Sequence, residues 1–148
     1  MRSRLKAAFS QTVVLFLAIC LYSTAPQAQE LTRFKDFIEP INTILDYLKA
    51  GDMDGMDDFM AGIGFGEAGR IGSTFERWLA EDTVVEIDLL KKEELGGTLK
   101  RLTYAITDST DSQMFFRFYV AKARDGWVLY NFNFNTDLTK FFPSWKSP

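Results

Sequence analysis

The 148-residue sequence has no histidine and a single cysteine, Cys20. Without histidine the chain lacks the side chain most often used for proton transfer near neutral pH. One cysteine excludes an internal disulfide, and its loss with a leader would remove thiolate chemistry as well. No acidic residue precedes Glu30, and there is neither an internal repeat nor an interior linker. Positive charge is also scarce. Setting aside Arg2, Arg4 and Lys6, the remaining 14 Lys and Arg face 20 Asp and Glu, a balance of about −6. Nucleic-acid partners are disfavoured, since their phosphates call for clustered cations.

What the first 28 residues do contain is the pattern of an export leader. Arg2, Arg4 and Lys6 come first, an apolar run over residues 13–21 follows, and small or polar residues occupy 23–29. The apolar core is about half the roughly 20 residues a membrane-spanning helix requires, so cleavage is expected rather than anchoring. Ala28 and Ala25 are the candidate cleavage positions, with Ala28 favoured. Ile19 stands where lipoprotein processing before Cys20 wants a small residue. The mature chain, residues 29–148, is read as one domain, periplasmic or secreted, with no membrane contact after leader removal. Lacking disulfides in an oxidising compartment, it must rest on burial. Of the 22 aromatic residues, 19 lie beyond the leader, each worth about 1.5–3 kcal/mol when fully buried.

The mature chain divides into a helical half and a strand half. Leu31, Phe34, Ile38, Ile41, Leu45 and Leu48 recur at helical spacing, which predicts one apolar stripe, kinked or split between Phe37 and Ile41 by Pro40. Gly51 is placed to end a helix and an aspartate of 52–54 to cap the next, which runs through Phe59 and Met60. Five glycines within residues 62–72 predict a loop, followed by a helix carrying Phe75, Trp78 and Leu79. From Thr83 the period becomes two. Val85, Ile87 and Leu89 alternate with polar neighbours, Gly96-Gly97 marks a turn, and Leu102, Tyr104 and Ile106 alternate again. Residues 108–112 form a polar turn, and Asp125-Gly126 joins two further strands. The expected fold is α+β: N-terminal helices packed on a curved antiparallel four-stranded sheet.

A two-residue turn at Asp125-Gly126 pairs Arg124 with Trp127 and fixes every face beyond it. Val120, Phe118 and Phe116 then share a face with Asn131, Asn133 and Asn135. Arg117 lies opposite Phe134 on the other face, with Tyr119 and Phe115. Neither face is plainly polar, so both are expected to be covered, one by helices and the other by a partner subunit or the C-terminal segment.

Helices first and a long antiparallel sheet after them resemble the cone-shaped α+β fold of the nuclear transport factor 2-like (SnoaL-like) superfamily. The run Tyr47-Leu48-Lys49-Ala50-Gly51-Asp52-Met53-Asp54 resembles the junction of that superfamily's first two helices, and Asp125-Gly126-Trp127-Val128-Leu129 its last hairpin. The resemblance implies a cavity between helices and sheet, used for ligand binding or for lyase and isomerase chemistry, and dimers through the sheet. Its enzymes place Asp, His or Tyr in the cavity, and with histidine missing no catalytic residue is transferred. A cystatin-like domain is the structural alternative.

Six residues are candidate ligand contacts: Arg117, Tyr119, Tyr104, Asn131, Asn133 and Trp78. Arg117 stands out as a mid-strand cation among Phe115, Tyr119 and Phe134. It either grips a carboxylate ligand, or forms a structural ion pair or lies at a solvated edge. The asparagines offer donors and acceptors to a polar cavity, or form an ordinary ladder. Glu86 and Asp88 are the close carboxylate pair available for acid/base work, and equally describe a wet strand face. Gly64-Phe65-Gly66-Glu67-Ala68-Gly69 spells a dinucleotide fingerprint, but a helix rather than a strand precedes it, so no cofactor is expected. Asp52, Asp54, Asp57 and Asp58 lack the calcium-loop spacing and are read as helix-capping residues, leaving no metal.

The function expected is an exported, non-catalytic domain binding a small-molecule ligand or a protein partner through its cavity or sheet face. Alternatives are a cavity lyase or isomerase and a structural homodimer. The mass of the mature chain is expected to correspond to a start at Gln29, or at Pro26 if cleavage follows Ala25. Retention of residues 1–28 would instead favour the anchor.

Overall fold

A computed structural model describes residues 31–65 and 71–144. The leader, with Cys20, and residues 66–70 of the glycine-rich run lie outside the described residues. Among the described residues three helices, α1 (Glu39–Ala50), α2 (Met53–Gly62) and α3 (Ile71–Leu79), precede four strands. These are β1 (Val84–Leu95), β2 (Leu99–Asp108), β3 (Gln113–Ala123) and β4 (Gly126–Asn135), paired antiparallel in the order β1-β2-β3-β4. The expected α+β arrangement is therefore the observed one.

Local chemistry sets the helix boundaries. Pro40 sits in the first turn of α1, where its missing N–H costs nothing. Gly51, at φ 72°, closes α1, and the N–H groups of Gly51 and Asp52 donate to the carbonyls of Leu48 and Tyr47. Asp52 caps α2 by accepting the Gly55 N–H at 2.9 Å. Asp57 reaches further, accepting the Gly72 N–H at 3.0 Å and so tying α2 to the start of α3. Gly72 lies within α3, where an added Cβ would fall 2.5 Å from the Asp57 carboxylate, so this close tie leaves no room for a side chain.

Upstream of Pro40 the predicted helical stripe fails. Residues 31–38 are non-helical, and Phe34 forms an isolated antiparallel bridge with Trp127. Each N–H donates to the other's carbonyl at 2.8 Å. Phe34, Phe37 and Ile38 still pack on the core, so the apolar residues are used as expected while the backbone is not.

The β3–β4 register also differs from the expected one. Ala123 pairs with Gly126 and Lys122 with Trp127, which puts the turn at Arg124-Asp125, one residue earlier. Neither turn residue has a positive φ, whereas Gly126 has φ 151°. A Cβ on Gly126 would lie 2.5 Å from the Phe34 carbonyl oxygen. The glycine is therefore required for the approach of residues 33–34, not for the turn. A second irregularity follows between Val120–Leu129 and Tyr119–Asn131, where Tyr130 is the extra residue. This bulge shifts the alternation of β4 by one. Phe118 now pairs with Phe132, Phe116 with Phe134, and Arg117 with Asn133 rather than Phe134.

The re-phasing puts Phe132 and Phe134 of β4 on the helix side. Phe116, Phe118, Phe132 and Phe134 stack in neighbouring pairs 5.9–6.4 Å apart, at interplanar angles of 20–29°. Phe75 of α3 lies 5.0 Å from Phe116 and 4.9 Å from Phe134. Ile41, Leu48, Met56 and Met60 complete the contact between the helices and this aromatic slab, and all four are fully buried. On the other edge, β1 carries two register shifts and leaves Val85, Leu89 and Leu90 exposed.

Gly126→Ala is expected to lower stability by about 1–3 kcal/mol, because the new methyl meets backbone and the φ is strained. Gly62→Ala, with open space around it and a helical context, is expected to be neutral or stabilising by up to about 1 kcal/mol. Urea titrations of the two variants check this contrast; equal effects would contradict the role assigned to Phe34.

Candidate functional site on the outer sheet face

The face turned away from the helices holds Leu99, Arg101, Thr103 and Ala105 of β2, facing Ala121, Tyr119, Arg117 and Phe115 of β3. Asn131, Asn133 and Asn135 of β4 join them by their pairing with Tyr119, Arg117 and Phe115. Residues 136–144 cross part of this face as a strap. Asn135 starts it by accepting the Asp137 N–H at 2.8 Å, and Asp137 caps the short 3-10 helix Leu138–Lys140. Phe141 then packs with Ala105 and Phe115, supported by Leu138 and Phe142, in a small cluster separate from the main core.

Under the strap lies Arg117, only 8% exposed. Its Nε donates to the hydroxyl of Thr103, which is fully buried, at 3.1 Å, and its Nη2 donates to the Phe141 carbonyl at 2.6 Å. The guanidinium carbon stands 4.7 Å from the Phe141 ring centroid and 5.5 Å from that of Phe142, within the range of cation–π attraction. Among the described residues no carboxylate makes an ion pair with it. The expected alternatives of an acidic structural partner or a solvated edge are both replaced by this clasp.

The remainder of the face is open. A hollow of about 340 Å³ is lined by Leu95, Leu99, Tyr119 and Tyr130 together with the charged side chains of Glu93, Glu94, Lys100 and Arg101. Leu95 is 70% exposed, Leu99 37% and Tyr130 42%. The rings of Tyr119 and Tyr130 are 6.0 Å apart and tilted. Arg101 grips Glu93 through two hydrogen bonds, Nε to Oε2 at 2.7 Å and Nη2 to Oε1 at 2.9 Å, and Lys91 adds a contact at 3.0 Å. The Arg101 hydrogen bond, with help from Lys91, outweighs desolvation and holds the Glu93 carboxyl at about 2. The same pairing raises the Arg101 guanidinium above its ordinary value. Glu94 is lowered by its contacts with Lys100 and Lys92. The hollow is thus lined both by ion pairs and by apolar and aromatic groups.

Of the six candidate contacts, Arg117, Tyr119, Asn131 and Asn133 are brought onto this face. Both asparagines are exposed. The other two are not there. Tyr104 is buried on the helix side, edge-on to Phe118 at 5.9 Å, and burial raises its hydroxyl pKa. Trp78 of α3 packs on the same helix-side core. Glu86 and Asp88 are exposed on the edge strand. Among the described residues no three His, Cys, Asp or Glu side chains are placed to hold a metal ion. Leu95, Leu99, Arg101 and Tyr130 were not expected at a site. The signal available for them was a pair of leucines bracketing Gly96-Gly97, where a turn would ordinarily be polar.

Searches for known relatives add nothing to these residues, as no family model and no curated protein matches this chain.

Because Glu93 is depressed from 4.5 to about 2, its pairing contributes stability fully above pH 4.5, and that contribution is lost as pH falls towards 2. Glu93→Gln is therefore expected to be slightly less stable than wild type at pH 7, by about 1 kcal/mol or less for a pair this accessible. The two should converge by about pH 2. Denaturant midpoints at pH 7, 4 and 2.5 measure the difference; one that does not shrink with acid would contradict the assignment.

Proposed function

We propose that this chain is an exported, non-catalytic binding domain of the cone-shaped, nuclear transport factor 2-like kind, and that the open half of its outer sheet face takes a protein partner. Support for export comes from the leader pattern, and support for the family from the order and packing of helices and sheet. The observation that carries the partner reading is the exposure of Leu95, Leu99 and Tyr130 around a single hollow. Contiguous exposed apolar surface rimmed by charge is the usual mark of an interaction site. Tyrosine and arginine, both present here, are the residue types that dominate binding energy at such surfaces.

The space between helices and sheet supports recognition at the surface over chemistry inside. Met56, Met60, Phe75, Phe116 and Phe118 fill it with exposures of 0–1%. General acid/base work needs groups titrating near the working pH. Tyr104 and Glu93 are moved away from neutrality, one upward by burial and the other down to about 2 by Arg101.

A photocrosslinking residue placed at Leu95 or Tyr130 in the full chain, expressed in its host, is expected to trap one partner. The same residue at Glu76, exposed on α3, should trap none. The mass of the adduct separates a second copy of this chain from a different protein. Absence of an adduct at both sheet positions, or equal trapping at Glu76, would overturn the reading.

A further inference from the structure

We infer that Arg117 is a latent carboxylate-binding site and that the strap, residues 136–144, is its built-in competitor. The starting point is a charge without a counter-charge among the described residues. Arginine is rarely buried unless paired, and removing a cation from water is costly unless an anion or strong acceptors compensate. Here Arg117 is more than nine-tenths buried, yet a hydroxyl and one peptide carbonyl are its hydrogen-bond acceptors among the described residues. A guanidinium offers five N–H groups in a planar fork. A carboxylate matches that fork with two charged oxygens, whereas the Phe141 carbonyl supplies one neutral oxygen.

What the strap offers Arg117 imitates such a ligand. It brings an oxygen acceptor, at Phe141, and aromatic faces, at Phe141 and Phe142, to the same cation. Its anchorage is slight. Leu138, Phe141 and Phe142 make the apolar contacts, in a cluster apart from the main core, while Thr136, Asp137, Thr139, Lys140, Pro143 and Ser144 are exposed. A segment with so few buried contacts opens at far lower free energy than the whole fold. Lifting it would uncover Arg117 between the Thr103 hydroxyl on β2 and Asn133, its direct partner on β4. Those neighbours add donors to the cation and place no acid beside it.

The apparent affinity for a carboxylate is then the intrinsic affinity multiplied by the fraction of molecules with the strap lifted. The site is separate from the partner surface proposed above, and the two stand or fall independently. Two sources of carboxylate are compatible with it, a small carboxylic acid and the free C-terminus of a peptide.

The test follows the Nε–H resonance of Arg117 in the full mature chain, identified by its loss in Arg117→Lys. Titrants are benzoate, N-acetyl-trialanine with a free C-terminus, and their uncharged counterparts benzamide and the amidated peptide. Saturable movement with at least one acid, and none with its amide, is expected. Movement with benzoate alone points to a small acid, and movement with the free peptide to a C-terminus. Phe141→Ala is expected to tighten binding of the active acid at least ten-fold. Should that variant lose its fold by circular dichroism, Phe142→Ala, less buried and more distant, takes its place with a smaller gain. The inference is overturned if neither acid moves the resonance, if acid and amide act alike, or if loosening the strap leaves the affinity unchanged.

Discussion

One extra residue in β4, Tyr130, decides what each face of the sheet is made of. Before it, Trp127 and Leu129 point to the helices; after it, Phe132 and Phe134 do. Without the bulge, strict alternation would place the asparagines against the helices and send the two phenylalanines outward. That arrangement would bury amides without partners, at a cost of about 1–3 kcal/mol each, and remove Phe134 from its stack with Phe75 and Phe116. The aromatic slab, the seat of the helices, and the polar character of the outer face all depend on this local irregularity.

The two faces are held by different means. On the helix side, burial dominates: four stacked phenylalanines accept Phe75 and the methionines of α2, whose flexible thioethers fill the gaps that rigid rings leave. On the outer side the described residues form a small apolar cluster, and the organising group is a cation. Arg117 cannot be exchanged for an apolar residue there without leaving the Thr103 hydroxyl and the Phe141 carbonyl with fewer partners. Nor would lysine serve equally, since it lacks the planar group that lies against Phe141 and Phe142. The open half of the face differs again, its charged pairs being accessible to water and its leucines exposed.

The features legible in the sequence are those fixed by near neighbours. Gly51 and Asp52 announce the break between α1 and α2 because helix termination and capping use residues within a turn of the break. Gly96-Gly97 marks the first hairpin for the same reason, and the change from helical period to period two separates the two halves of the fold. The remaining features are imposed from far along the chain. Gly126 reads as a turn residue, yet it is fixed by the Phe34 carbonyl, and Phe34 reads as part of a helix, yet it bridges to Trp127. The bulge at Tyr130 has no signature in residue type. Arg117 was visible as a cation in an aromatic strand, but its partners Thr103 and Phe141 lie 14 and 24 residues away and carry no charge to betray them. Tyr104 and Trp78, expected beside it, lie on the other side of the sheet, where strand alternation and helix packing put them.

The bridge between Phe34 and Trp127 has a consequence for how this sheet behaves in a crowded solution. A four-stranded open sheet has two unsatisfied margins, and each is an invitation to another chain. Along β1 the bulges, together with Lys91 and Lys92, discourage such pairing. Along β4, the strand richest in aromatic and asparagine residues, the N-terminal segment caps the first part of the margin with its own backbone. Residues 31–38 thus act as a guard against fibril-like growth, and a chain trimmed of them would expose the kind of segment from which cross-β assembly starts.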